Sequence, residues 1–153
     1  MLKTRNATLS DSKKIYLWNT DPVTRSNSFS TNSFSFEEHN NWYRSKLDDL
    51  NAIFMIFTDD SNNDVGLIRI NKTEEHWLIG ITIDKNHRGK GYSSQMINSA
   101  SKAHYAKYGQ PLIAQIKQDN PASIKAFLKA GFRFDKDLLI NNISSSQYIY
   151  ENK

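Results

Sequence analysis

The chain has 153 residues, 38% hydrophobic and 24% charged, with 20 basic and 16 acidic side chains for a net charge of +4. A chain of this length buries roughly 68–70% of the surface it exposes when unfolded, which supports a packed core and excludes intrinsic disorder. There is no cysteine, so neither a disulfide framework nor a thiolate zinc site is available, and a reducing, cytoplasmic setting is expected.

Taken in order, residues 2–9 predict a short strand. Ser10-Asp11 offers an N-cap for a helix carrying Ile15, Leu17 and Trp18, and Pro22 closes it. The Ser/Asn-rich residues 25–35 predict an extended loop. Ser35-Phe36-Glu37-Glu38 has capping-box spacing and starts a second helix, with Phe36, Asn40, Tyr43 and Leu47 at helical intervals and Trp42 beside them. Residues 52–57, 65–70 and 77–83 then read as strands, the first two joined through the turn chemistry of residues 59–63. Gly91 to about Lys107 predicts an amphipathic helix with Tyr92, Met96, Ala100 and Ala103 on one face. Residues 112–116 form a strand, and Asn120-Pro121 supplies an N-cap followed by proline at the first helical position. That last helix carries Ile124, Phe127 and Leu128 and ends at Gly131, before strands near 132–135 and 147–150.

The order β-α-α-β-β-β-α-β-α-β-β mixes hairpins with crossovers. It predicts an α/β (α+β) fold, a central mixed, largely antiparallel sheet flanked by helices, in one domain over residues 1–153 without repeats or linkers. The longest apolar run, residues 52–57, is too short to span a bilayer, and Met1 to Asn6 leads into no signal-peptide core. No membrane role is expected. The positive excess suits an anionic partner, but no dense basic stripe or module signature marks a nucleic-acid binder. His39, His76, His87 and His104 lack HExxH spacing, so no metal site is assigned.

Chemistry concentrates in Asn86-His87-Arg88-Gly89-Lys90-Gly91-Tyr92-Ser93, between a strand and a helix. Consecutive backbone N–H groups entering a helix make an anion site, glycine permits close approach, and Arg88 and Lys90 bring positive charge. A tight turn whose glycines only permit positive φ is the bland alternative. Neither GxxxxGK[ST] nor GxGxxG fits, since Ser94 stands where the dinucleotide fingerprint needs glycine.

Arg88-Gly89-Lys90-Gly91-Tyr92-Ser93 resembles the [RQ]-x-x-G-x-[GA] pyrophosphate loop of the GNAT acetyltransferase superfamily, with Ser93 at the last position. Asn120-Pro121-Ala122-Ser123 through Phe127 to Gly131-Phe132 is similar to the family's N-x-x-[SA]-x(3)-[YF]-x(3)-G-F helix. The resemblance implies the GNAT fold and acetyl-coenzyme A as co-substrate. It implies that main-chain groups of Ile81 and Ile83 pair with the pantetheine arm like an added strand. The loop Arg88, Gly89, Lys90, Gly91, Tyr92 and Ser93 would hold the pyrophosphate, with Asn120 and Phe127 lining the cofactor's other side. Many relatives carry tyrosine where Phe127 stands, so thiolate protonation falls to another group, Tyr92 or Tyr148, or to none.

The acceptor amine must lose a proton. Relatives often carry glutamate where Leu78 stands, so Glu75 and His76 are the candidate base, His76 sharing strand parity with Gly80 and Thr82. Residues 17–29 and Ser35 to Tyr43 resemble two stretches of a GNAT subgroup that acetylates nucleotide-linked amino sugars in bacterial nonulosonic-acid pathways, apart from one extra residue before Asp21-Pro22. That implies acceptor contacts from Trp18, Asn19, Arg25, His39 and Trp42. Peptide acceptors, as in ribosomal-protein N-terminal acetyltransferases, and a catalytically silent acyl-coenzyme A sensor are the alternatives. The sequence leaves a homodimer open.

Overall fold

Seven strands form one sheet in the order β1-β2-β3-β4-β5-β7-β6. The computed structural model describes residues 1–30 and 32–151, so Thr31 of the predicted loop lies outside the described residues. The chain runs β1 (Lys3–Asn6), α1 (Ser12–Thr20), α2 (Pro22–Ser26), α3 (Phe36–Leu47), β2 (Ala52–Thr58), β3 (Asp64–Lys72) and β4 (Trp77–Ile83). It continues through α4 (Tyr92–Tyr108), β5 (Leu112–Lys117), α5 (Pro121–Lys129), β6 (Arg133–Ile140) and β7 (Ile143–Tyr150), with short 3₁₀ turns before α1 and after β4. Every adjacent pair is antiparallel except β4 and β5. This is the mixed, largely antiparallel sheet that the element order predicts.

Strand alternation separates two cores. Met55 and Phe57 of β2 and Ile68 and Ile70 of β3 pack with Met96, Ile97 and Ala100 of α4 and Phe127 of α5. Phe54, Ile56 and Leu67 point the other way, onto Ile15, Trp18 and Tyr43 of α1 and α3. Each fully buried Ile, Leu, Met or Phe among them contributes about 1.5–3 kcal/mol by leaving water. The capping box that opens α3 is present: the Glu38 amide donates to Ser35 Oγ at 3.1 Å and the Ser35 amide to Glu38 Oε1 at 3.2 Å.

Four local expectations are corrected. Pro22 does not merely end α1. It opens α2, because the Asp21 carboxylate accepts from the Val23 and Thr24 amides and proline fits the first helical position. Leu17 is 56% exposed, since α1 turns Ile15, Trp18 and Asn19 inward instead. On α4 the buried face runs Met96, Ile97, Ala100, Ser101 and His104, and Ala103 is exposed. The final strands are longer than predicted and meet at Asn141-Asn142, both with positive φ (50° and 63°), a conformation asparagine tolerates in a two-residue hairpin.

His104 is buried with neither ring nitrogen hydrogen-bonded, its ring 4.7 Å from Trp77 and 4.6 Å from Tyr108. Burial, with a smaller push from Lys107, lowers its pKa from 6.5 to about 4. Below pH 6.5 the unfolded chain takes up a proton that the folded chain refuses, so stability falls between pH 6.5 and 4 and levels off below. The full swing is about 3 kcal/mol. Urea unfolding at pH 7.5 and pH 5 should show His104→Leu losing less stability on acidification than the parent. Equal losses would mean that the site admits the imidazolium.

Candidate active site

β4 and β5 run parallel but pair only at Trp77–Leu112 and Leu78–Ile113. Beyond Leu78 they diverge. The main chain of β4 past that point keeps its bonds to β3 and has no strand on its other side. A cleft of about 500 Å³ occupies the split, walled by residues 79–83 of β4, by Gln115 and Ile116 of β5, and by Asn120, Ser123, Ala126 and Phe127 around α5. Phe127 is 2% exposed, wedged edge-on against Phe132 at 5.0 Å. The Asn120 side chain accepts from the Ser123 amide at 3.3 Å, so its N-cap role holds even as it lines the cleft.

The mouth of the cleft is the glycine loop. Gly89 and Gly91 both sit at φ +76°, and Gly91 precedes the first turn of the 17-residue helix α4 without any side-chain cap. The first amides of α4 are thus free to meet an anion, aided by the helix dipole. Gly89, Gly91, Tyr92 and Ser93 line the cleft. Such a donor set fits a pyrophosphate, and the unpaired β4 edge fits a flexible arm carrying amides.

A second cavity of about 340 Å³ lies on the α1/α3 side of the sheet. It shares Thr24, Arg25, Ser28 and Arg69 with the cleft, so the two meet at the arginines. Its other walls are Asn19, Phe34, Glu38, His39 and Trp42. Arg25 reaches the carbonyls of Ser30 and Asn32 and lies over the Phe34 ring at 5.2 Å. His39 stacks on Tyr43, with centroids 5.8 Å apart and planes within 12°, and its Nε2 lies 3.0 Å from the Ser12 carbonyl. A carbonyl only accepts, so that bond assigns the proton to Nε2 and leaves Nδ1 with a lone pair. Burial lowers the His39 pKa below 6.5 against the opposing pull of the Ser12 bond. The imidazole is neutral at neutral pH.

The sequence matches the acetyltransferase (GNAT) domain family over residues 2–133. The chain belongs to the GNAT acetyltransferase family. It is an acetyl-coenzyme A-dependent N-acetyltransferase. The spermidine N-acetyltransferase of Vibrio cholerae, solved with CoA and spermine, superimposes with a TM-score of 0.87 at 21% identity, covering 97% of this chain and 94% of that one. A single-site variant of the same enzyme gives 0.81 at 21% identity, covering 97% and 92%. At that identity the likeness establishes the fold. No curated protein sequence matches this chain.

Within this GNAT enzyme the expected site residues divide. Ile81, Ile83, Gly89, Gly91, Tyr92, Ser93, Asn120 and Phe127 line the cleft, as does Arg88. The Arg88 guanidinium, however, donates to Asp21 Oδ2 at 2.7 Å and reaches Thr24 Oγ1 at 3.4 Å, tying the loop to α2. Lys90 is exposed and lines neither cavity. The loop's anion-binding capacity therefore rests on amides more than on those two cations. Asn19, Arg25, His39 and Trp42 line the second cavity, whereas Trp18 is buried, lines neither cavity and donates its Nε1–H to Asp84 at 2.9 Å.

His76 and Glu75 line neither cavity. They sit in the turn before β4, where the Thr73 amide donates to the His76 carbonyl at 2.8 Å, at the closed end of the β4/β5 split. Parity puts His76 on the face of Gly80 and Thr82, and its place before Trp77 puts it at the paired end of β4 and β5. Tyr148 lines neither cavity, and Tyr92 is the cleft's tyrosine. Arg69 escapes a reading of the sequence because it is embedded in the apolar run of β3.

Proposed function

We propose that this enzyme transfers the acetyl group of acetyl-coenzyme A to the primary amine of a nucleotide-linked amino sugar. The observation that carries this reading is the second cavity, which opens off the cofactor cleft with aromatic faces and two guanidinium groups. Among the described residues its single carboxylate is Glu38, already engaged in the α3 capping box. A planar base and sugar ring suit Trp42, Phe34 and His39, and phosphate suits arginine.

In this reading the α4 amides and loop hold the cofactor's pyrophosphate, and the free edge of β4 bonds its pantetheine arm. The thioester, when bound, supplies an activated acetyl carbon. The acceptor amine is then presented beside Arg25 and Arg69, whose charges favour its neutral form. His39 Nδ1 takes the amine proton as the new C–N bond forms and the C–S bond breaks. Phe127 has no proton to give, so the thiolate leaves unprotonated or takes a proton from Tyr92. A thiol pKa of about 8.5 makes that departure tolerable near neutral pH.

A second reading is a polyamine acceptor, favoured by the spermine complex of the V. cholerae neighbour. Coenzyme A release should be followed with a nucleotide-linked 4-amino sugar, spermidine and a ribosomal N-terminal peptide. The proposal expects kcat/KM for the sugar nucleotide to exceed the other two by at least tenfold. Preference for spermidine would replace it with the second reading, and preference for the peptide would make this a protein acetyltransferase. No turnover with any amine, alongside tight acetyl-coenzyme A binding, would favour a sensor.

A further inference from the structure

The face of β3 that meets α1 and α3 presents Leu67 and then Arg69, a cation where alternation calls for another apolar side chain. Arg69 lies directly across from Gly80 of β4. A Cβ at position 80 would come within 3.3 Å of an Arg69 terminal nitrogen, so glycine clears room for the guanidinium. Arg69 is partly buried, but its Nε is shielded from solvent, and among the described residues that Nε has no hydrogen-bond partner and no carboxylate pairs with the side chain. Arg25, a second cation lining the same two cavities, adds like charge beside it. Arginine cannot escape by deprotonating, so a shielded Nε donor without a partner is a standing cost to the fold.

Such a group persists where function supplies the missing partner. Arg69 lines both the cofactor cleft and the second cavity, so that partner enters where acceptor and thioester meet. From this juxtaposition we infer that Arg69, with Arg25, is an anion receptor that binds a phosphate or carboxylate of the acceptor and sets its specificity. The planar fork matches two oxygens of either group. The same pair repels a polycation, so it selects against acceptors as well as for them. The inference rests on the proposed N-acetyl transfer at this site but not on the acceptor being a nucleotide.

The test uses the whole protein saturated with coenzyme A, which occupies the glycine loop and leaves only the acceptor side open. Uridine diphosphate and, separately, succinate are titrated calorimetrically into the parent and into Arg69→Met, Arg69→Lys and Arg69→Gln. Uridine diphosphate should bind the parent, at least tenfold more weakly to the Met variant, and with an intermediate loss to the Lys variant, which keeps charge without the fork. With a sugar-nucleotide acceptor, Arg69→Met should raise KM at least tenfold and leave acetyl-coenzyme A affinity within twofold. If the Met variant does not fold, Arg69→Gln carries the same tenfold expectation. If only succinate shows the dependence, the receptor stands and the nucleotide reading falls. If the folded variants bind both anions like the parent, or acetylate the sugar nucleotide with an unchanged KM, the receptor falls whatever the acceptor proves to be.

Discussion

Gly91→Val should weaken acetyl-coenzyme A binding at least tenfold, roughly 1.4 kcal/mol, while the protein stays folded. Gly91 holds φ +76° at the start of α4, and an added Cβ would meet nothing within 4 Å. The penalty is therefore conformational and not a clash. A β-branched residue held in the left-handed region costs of order 1–3 kcal/mol. The loop relieves that strain by re-aiming the amides that face the cleft. Lys90→Ala is the control, because Lys90 lines neither cavity, and its affinity should stay within about twofold. Calorimetry on both variants decides the matter, and unchanged affinity in a folded Gly91→Val protein would take the pyrophosphate away from this loop.

Local chemistry makes much of this architecture readable. The Ser35–Glu38 box, the Asn120-Pro121 start of α5 and the Gly89/Gly91 loop are short-range signals, and each element lies where its signal points. Asp21-Pro22 carries the same cap-then-proline signal as Asn120-Pro121. It escapes notice because proline after a helix reads first as a terminator. Arg88 shows a different limit. Its place in the loop motif suggests phosphate, but the fold brings Asp21 within 2.7 Å, and the charge goes to joining the cofactor loop to α2.

Tertiary pairing hides the rest. The β4/β5 split is a property of two strands whose paired residues, Trp77 and Leu112, lie 35 positions apart, and no local pattern announces where the strands part. Once Trp77 and Leu78 are pinned to β5, the open end must lie toward Ile83, which leaves His76 at the far end of the strand from the cleft's opening. Arg69 is masked by its apolar neighbours Leu67, Ile68 and Ile70, because a periodicity search registers the run and passes over its exception. A single cation on the core-facing side of a central strand is the signal that could have found it.

His76 lines neither cavity, and the largest kinetic effect is expected from His39→Gln. His39 opens into the second cavity alongside Glu38, Arg25 and Arg69, and it packs on Tyr16 of α1 and Tyr43 of α3. Its Nε2–H is held by Ser12, so only Nδ1 can accept a proton from the acceptor. Loss of a general base should lower kcat by about a hundredfold or more, with acetyl-coenzyme A affinity unchanged. Trp42→Ala, which removes a 39% exposed wall, should instead raise the acceptor's KM and spare kcat. The pH profile separates a base from a mere contact. The folded His39 pKa lies below 6.5, so the parent's kcat at saturating acceptor should hold above that value and fall as pH drops through the folded pKa. In His39→Gln that acid limb should disappear along with most of the rate. A variant that keeps both rate and limb would assign the proton to water, with the two arginines alone keeping the amine neutral.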